Sequence, residues 1–286
     1  MTDLSPPLTV AFDGPVTAAR HISVLAGLSG RFRTTRSETT LTPDVLVVDG
    51  TIPDWPAACA GARAVLVDRP RPGMAELPDA PLFFADSGYA TAPAWTAELP
   101  RIRASLDDTV AIVESTVAVP HPDGLSDGLF SQLALLRDLF GTNVPLTPSA
   151  VTPGRGYLLT GSAGTAVVSL SGTVGPPGLT LTTVAPADRW HITMPAPGTA
   201  RSAVVTQFTA DGAHTARPRF ESPRRALWRT IHTHLTEYQP ACSAHQLASA
   251  LPDLTTIACV LATHEGWCGD GYDHRRSPVG VWTNGG

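Results

Sequence analysis

Residues 8–21 read Leu8-Thr9-Val10-Ala11-Phe12-Asp13-Gly14-Pro15-Val16-Thr17-Ala18-Ala19-Arg20-His21. This stretch decides the fold class. A short apolar run ends at Asp13-Gly14-Pro15, a turn signal. Pro15 suits a first helical position, where the backbone N–H it lacks would have no partner inside the helix. Beyond it Val16, Ala19, Ile22, Val24, Leu25 and Leu28 supply an apolar stripe until Gly30 stops it. Strand, tight turn and amphipathic helix in that order make the first half of a βαβ unit.

Working outward, residues 31–37 form a second, poorer strand. Residues 44–49 (Asp-Val-Leu-Val-Val-Asp) read as a buried strand, and 64–67 repeat the pattern after a short connection. Residues 82–85 add a strand and 94–105 a linking helix. The spacing predicts a shortened Rossmann-like parallel-sheet domain over residues 1–107. From residue 110 the character changes: 110–119 alternates, and 124–141 carries a helical stripe through Leu129, Leu133, Leu136 and Leu139. Strand-like segments at 157–161, 165–171, 179–184, 190–194 and 202–208 are separated by Gly and Pro, which favours a mostly antiparallel sheet. Ser222-Pro223 opens a helix with Leu227, Trp228, Ile231, Leu235 and Tyr238 on its buried face. Ser243 starts a further helical region that Pro252 is expected to bend or split. The fold class is therefore α/β, with an α+β domain at 108–265 following the parallel-sheet domain and a Gly-rich tail at 266–286.

Composition narrows the chemistry. Hydrophobic residues make up 43% and charged residues 16%, enough apolar mass for two cores and too little charge for disorder. A net charge of −5 supplies no basic field for nucleic acid. All 20 cationic side chains are Arg, which excludes a Schiff-base lysine and a phosphate-loop lysine alike. No stretch reaches the ~18 apolar residues of a membrane span. Residues 1–7 carry neither a basic nor an apolar leader region, so a cytoplasmic protein is expected. Cys259, His264, Cys268 and His274 match no common zinc spacing, and no metal is expected.

The order of elements resembles the glucose–fructose oxidoreductase and inositol dehydrogenase (Gfo/Idh/MocA) family over residues 8–264. The turn Phe12-Asp13-Gly14-Pro15 and its helix with His21 resemble the family's first Gly-rich turn. Asp68-Arg69-Pro70 after Val65-Leu66-Val67 resembles its Glu-Lys-Pro signature. Asp127, Ser131 and the stretch from Leu133 to Arg137-Asp138-Leu139-Phe140-Gly141 stand in the register of its Asp, its His four residues on and its closing Arg-x-x-x-Gly. Ala92-Pro93-Ala94 resembles the segment entering the interdomain helix. The resemblance implies an NAD- or NADP-dependent oxidoreductase of small-molecule metabolism, specialised biosynthesis included. It also implies a homodimer paired through the open face of the C-terminal sheet.

The departures matter as much. The family's lysine and histidine relay the proton that accompanies hydride transfer; Arg69 and Ser131 stand there instead. A guanidinium is no ordinary general acid, and a lone serine is a poor relay. Asp127 is the titratable group left in register. Of the phosphate-binding glycines only Gly14 remains, with Pro15 removing an N–H and Asp13 adding negative charge. Arg36 and Ser37, at the end of the second strand, suit an NADP 2′-phosphate.

Candidate catalytic residues are thus Asp127, Arg69 and Ser131, and candidate cofactor contacts are Gly14, Arg36, Ser37, Asp68 and Pro70. Tyr89, Trp95 and His191 are candidates for lining a small-molecule pocket. Each has a plainer reading: Arg69 as a salt bridge, Asp127 as a helix cap, Ser131 and Trp95 as packing, His21 as a core histidine. Three functions stay open: an oxidoreductase with altered proton donors, a cofactor-free enzyme (cyclase, isomerase or lyase) using Asp127 and Arg69, and a non-catalytic scaffold.

Overall fold

The computed structural model describes residues 6–35, 42–52, 59, 61–71, 82–106, 111–199, 201–237 and 247–262. Arg36, Ser37, Tyr238, Ser243, His264, Cys268 and His274 lie outside the described residues. Among the described residues no helix is long and apolar enough to cross a membrane.

The first sheet holds β1 (Leu8–Phe12), β2 (Phe32–Thr34), β3 (Val45–Asp49), β4 (Ala64–Asp68) and β5 (Leu82–Ala85). All are parallel, in the order β2-β1-β3-β4-β5. Every residue of β4 is buried, as are all but one of β3, because helices cover both faces of a parallel sheet. The chain leaves β1 for β2 on one side and returns to β3 on the other. Strand order therefore reverses between β1 and β3, and the crevice at the carboxyl ends of such a reversal is where open α/β sheets bind ligands. Helix α1 (Pro15–Ala26) follows β1 and turns Thr17, His21 and Leu25 inward, one residue per turn.

Helix α2 (Pro93–Leu106) leads to the second sheet. Its eight strands are β6 (Ile112–Val119), β7 (Leu146–Thr152), β8 (Gly156–Ala163), β9 (Ala166–Val174), β10 (Gly178–Val184), β11 (Arg189–Pro195), β12 (Val204–Thr209) and β13 (Gly212–Thr215). The order is β13-β12-β11-β10-β6-β9-β8-β7, antiparallel except for β6 against β9. Helix α3 (Leu125–Phe140) covers one face, with twelve of its sixteen residues buried. A fully buried amide fixes it there: Gln132 Nε2 donates to Ser115 O, Ser115 Oγ and Ser171 O, and its Oε1 accepts from Tyr157 Oη at 2.7 Å. Among the described residues the opposite face is open. Its strands present Val184, Ile112 and Val167 side by side in register, 39%, 47% and 55% exposed, which leaves an apolar row uncovered.

Three features depart from the sequence expectations. Strands β7 and β13 are edge strands whose residues are exposed or half-exposed, so neither carries the alternation that would reveal it; Pro148 is tolerated in β7 because an edge needs fewer N–H donors. Pro252 falls inside helix α5 (Leu247–Ala262), which runs uninterrupted. Helix α4 (Pro223–Thr236), assigned by position to the second domain, packs on the first sheet: Leu227, Trp228 and Ile231 are fully buried among Val10, Phe32 and Val45.

Candidate functional site

Four strands of the parallel sheet end in an aspartate. Asp13 follows β1, Asp49 and Asp68 close β3 and β4, and Asp86 follows β5. The carboxyl edge is lined with carboxylates, and the chain supplies partners for each. Asp13 Oδ2 accepts the backbone N–H of Asp49 at 2.6 Å, and its Oδ1 accepts the Thr17 hydroxyl at 2.9 Å. Asp49 accepts the amide and hydroxyl of Thr51 at 3.0 and 2.8 Å and pairs with the Arg69 guanidinium. Burial opposes the charge of Asp49, but the bonds from Thr51 and Arg69 outweigh it and hold the carboxyl below its usual range. Asp86 receives Arg224 Nε at 2.9 Å and the Gly88 N–H at 3.1 Å. Burial works against its charge too, and Arg224 overrides it. Asp68 is paired less closely, with Arg20 Nη1 3.3 Å from both oxygens; burial and the nearby Asp86 charge push it up to about 6.

His21 lies behind this edge, fully buried. Its plain reading as a core histidine is the observed one. The ring Nδ1 accepts the indole N–H of Trp228 at 3.2 Å. Indole can only donate, so Nδ1 must offer its lone pair and the proton sits on Nε2. Burial lowers the pKa to about 4 and keeps the ring neutral. His21, Asp68 and Asp86 place ligand atoms within 4.8 Å of one another, the geometry of a metal cluster. The chemistry does not follow: Nε2 carries a hydrogen where a metal needs a lone pair, and Arg20 and Arg224 already serve the two carboxylates.

At the α3 end of the crevice, Asp127 sits in the helix's first turn behind Gly124, which holds the cap position. Its Oδ1 accepts Arg71 Nη1 at 2.7 Å, with the Asp127 side chain 38% exposed. The partner is Arg71, two residues beyond the arginine the sequence singles out. Arg69 itself adopts a left-handed backbone (φ 53°) and turns back to Asp49. The Asp68-Arg69-Pro70 turn lies so close over Gly50 that a Cβ there would meet Arg69 O at 2.6 Å. Ser131 is buried and donates to Asp127 O at 2.9 Å, a bond to its own helix. Its hydroxyl stands 2.6 Å from where a Cβ would project from Gly88 (φ 57°), so it serves packing against the 88–91 turn.

Of the pocket candidates, Tyr89 in that turn is buried, its phenol pushed up to about 12 by burial. Trp95 is fully buried and donates to Asp138 Oδ2 at 3.2 Å; it is a core residue and lines no pocket. His191 pairs with Thr182 Oγ1 at 3.2 Å, half-buried on the open sheet face, because the alternate residues Trp190 and Ile192 take the core side. Of the sequence candidates, Asp68, Arg69 and Pro70 share the turn that packs over Gly50, Asp127 meets Arg71 in the first turn of α3, and Trp95 and His191 stand in the core and on the second sheet. Sequence reasoning passed over Asp49, Asp86, Arg20, Arg71 and Arg224. An aspartate directly after each apolar strand was the readable signal; for Arg224, 138 residues from Asp86, there was none.

No protein-family model matches the sequence, and no curated protein matches it. Solved structures do. The transcriptional regulator Gal80p from Kluyveromyces lactis is 13% identical, with 92% of this chain and 93% of that one covered at a TM-score of 0.66. A dehydrogenase (MviM) from Clostridium difficile is 8% identical over 90% and 99% of the two chains, also at 0.66. UDP-N-acetylglucosamine 3-dehydrogenase GnnA from Acidithiobacillus ferrooxidans is 11% identical over 89% and 97%, at 0.63. The fold is shared along nearly the whole length of each chain. The chain has the Gfo/Idh/MocA fold.

At these identities the likeness speaks for the fold, so the dinucleotide expected of a Gfo/Idh/MocA enzyme must be tested on the residues. A Rossmann turn reads G-x-G-x-x-G: the first glycine makes the turn, the second lets the pyrophosphate approach the backbone, and the third lets helix and strand pack closely. In this turn Gly14 is the one glycine, and Pro15-Val16-Thr17-Ala18-Ala19 after it holds no other. Pro15 is exposed and has no N–H to offer. Asp13 adds a carboxylate beside the turn; like charges 4 Å apart repel by about 1 kcal/mol in water and about 4 at an effective dielectric of 20. The residues do not fit the group.

Proposed function

We propose that this Gfo/Idh/MocA-fold protein works without a nicotinamide dinucleotide, as a non-redox enzyme on a small polar molecule at the Arg71–Asp127 pair. The observation that carries the reading is Asp13, whose carboxylate spans from the first turn of α1 to the amide of Asp49 across the β1/β3 reversal. The NAD- or NADP-dependent oxidoreductase that the resemblance implies needs that corner open to phosphate. It also needs a proton relay, and Arg69 and Ser131 are both engaged elsewhere. In the Arg71–Asp127 pair the acid is the accessible partner, its side chain 38% exposed against 16% for the guanidinium. A carboxylate beside a fixed cation suits proton abstraction next to a carbonyl, with Arg71 steadying the developing oxyanion; isomerisation, cyclisation and elimination belong to that class.

A second reading, a non-catalytic binding protein, is favoured by the Ser131 hydroxyl being consumed by its own helix. Two measurements separate the possibilities. NADPH at millimolar concentration should leave intrinsic fluorescence and melting temperature unchanged; saturable binding would return the oxidoreductase to first place. Asp127→Asn should abolish turnover of a substrate found by metabolite screening while sparing its binding. Unchanged turnover in that variant would move the chemistry away from Asp127.

A further inference from the structure

We infer that Asp13 is an internal anion that fills the phosphate corner of its own fold, locking the β1/β3 crevice in a closed, ligand-independent state. The inference rests on the dinucleotide-independent reading above and goes beyond it: the dinucleotide is not merely unsupported by glycines but replaced by a side chain. Three contacts define the replacement. The carboxylate accepts the Asp49 backbone N–H with Oδ2 at 2.6 Å, so the end of β3 is tied to the end of β1. Its other oxygen accepts the Thr17 hydroxyl at 2.9 Å, within the first turn of α1, where Thr17 is buried. The Asp13 backbone N–H donates to Val47 O at 3.0 Å, which extends the β1–β3 ladder and fixes the Cα from which the carboxylate reaches.

An anion at this corner is expected on physical grounds. The amide ends of α1 carry partial positive charge, and backbone N–H groups at the strand ends face the same crevice. Folds of this kind satisfy that field with a bound phosphate. Here the Asp13 carboxylate takes the Asp49 amide of that set and the Thr17 hydroxyl of α1. Asp13 remains exposed on its outer side, so it occupies the surface a ligand would use and is not part of the core. Beside it Gly14 has open space around the position of a Cβ, room that the carboxylate does not need. Removing the side chain should therefore leave a vacant anion corner without disturbing the packing beneath.

The experiment is chemical rescue. Purified full-length protein and its Asp13→Gly variant are melted with and without about 10 mM inorganic pyrophosphate, against potassium chloride of equal ionic strength, since a ligand bound only by the folded state raises the melting temperature. The variant should melt several degrees below the parent, and pyrophosphate should recover at least half of that loss. The parent should not respond to pyrophosphate or to NADPH. If Asp13→Gly fails to fold, Asp13→Ala, which also removes the carboxylate, reads the same two quantities. A variant as stable as the parent, or one that pyrophosphate does not rescue, overturns the internal-anion inference and leaves the dinucleotide-independent reading standing. An NADPH response in the parent would overturn that reading itself.

Discussion

Arg224→Met tests how the crevice is held together. Arg224 lies in the first turn of α4 and reaches the first sheet, where its Nε meets Asp86 at 2.9 Å and its Nη1 donates to Arg20 O at 3.2 Å. Asp86 has a side chain only 4% exposed and would keep just the Gly88 N–H at 3.1 Å. Stripping one partner from a buried ion pair costs about 3–5 kcal/mol, because the remaining charge has neither water nor counter-ion. For a chain of this size that corresponds to a fall of roughly 10 °C in melting temperature. Asp86 can escape by taking a proton, so the loss should be greater at pH 8 than at pH 5. The double variant Arg224→Met/Asp86→Asn keeps the oxygen that accepts from Gly88 and removes the stranded charge; it should regain most of the stability. Thermal melts and urea unfolding of the parent and the two variants at both pH values measure this. A single variant within 1 kcal/mol of the parent, or a double variant no better than the single, would refute the claim that this pair ties α4 to the carboxyl edge.

Three further outcomes are expected. Burial raises Asp68 and Asp138 to about 6 and lowers His21 to about 4. Between pH 4 and 6 these sites hold two protons when folded and one when unfolded, so their joint contribution falls by about 1.4 kcal/mol per pH unit as pH rises. Asp68→Asn should flatten that slope, and a pH series of urea midpoints reads it. Gln132→Leu leaves the buried Tyr157 hydroxyl without its acceptor and takes a donor from the Ser115 and Ser171 carbonyls, and should cost about 1–3 kcal/mol in urea unfolding. The row Val184–Ile112–Val167 on the open sheet face should mediate a homodimer, so sedimentation should show a dimer and Ile112→Arg a monomer.

The sequence disclosed the fold well where burial left a periodic mark. The runs at 45–49 and 64–68 are apolar throughout because both faces of a parallel strand are covered, and they were readable as such. Strands β7 and β13 were not, since exposed edge strands have no buried face to betray them. The stripe Leu227, Trp228, Ile231 announced a buried face on α4 but could not say against which sheet. The site was legible in part. Asp68-Arg69-Pro70 forms a turn after β4 as read, and Asp127 stands in the first turn of α3. The sequence could not show that Asp127 would meet Arg71, because which of two arginines in one turn reaches out depends on the left-handed backbone at Arg69.

That local twist has a consequence for the whole edge. Arg69 at φ 53° pays about 1–2 kcal/mol relative to a right-handed residue, and the return is its pair with Asp49. Asp49 in turn lends its amide to Asp13, so the strained residue, the β3 end and the carboxylate in the phosphate corner form one connected chain. Arg20 and Arg224 close the other half around Asp68 and Asp86. An edge organised to receive an anionic ligand would leave donors pointing outward; these donors are directed at the protein's own aspartates. The Arg71–Asp127 pair differs, with the aspartate 38% exposed and its guanidinium reaching in from the turn that Arg69 twists. The proposed chemistry therefore rests on Asp127, in the first turn of α3, rather than over the β1 turn.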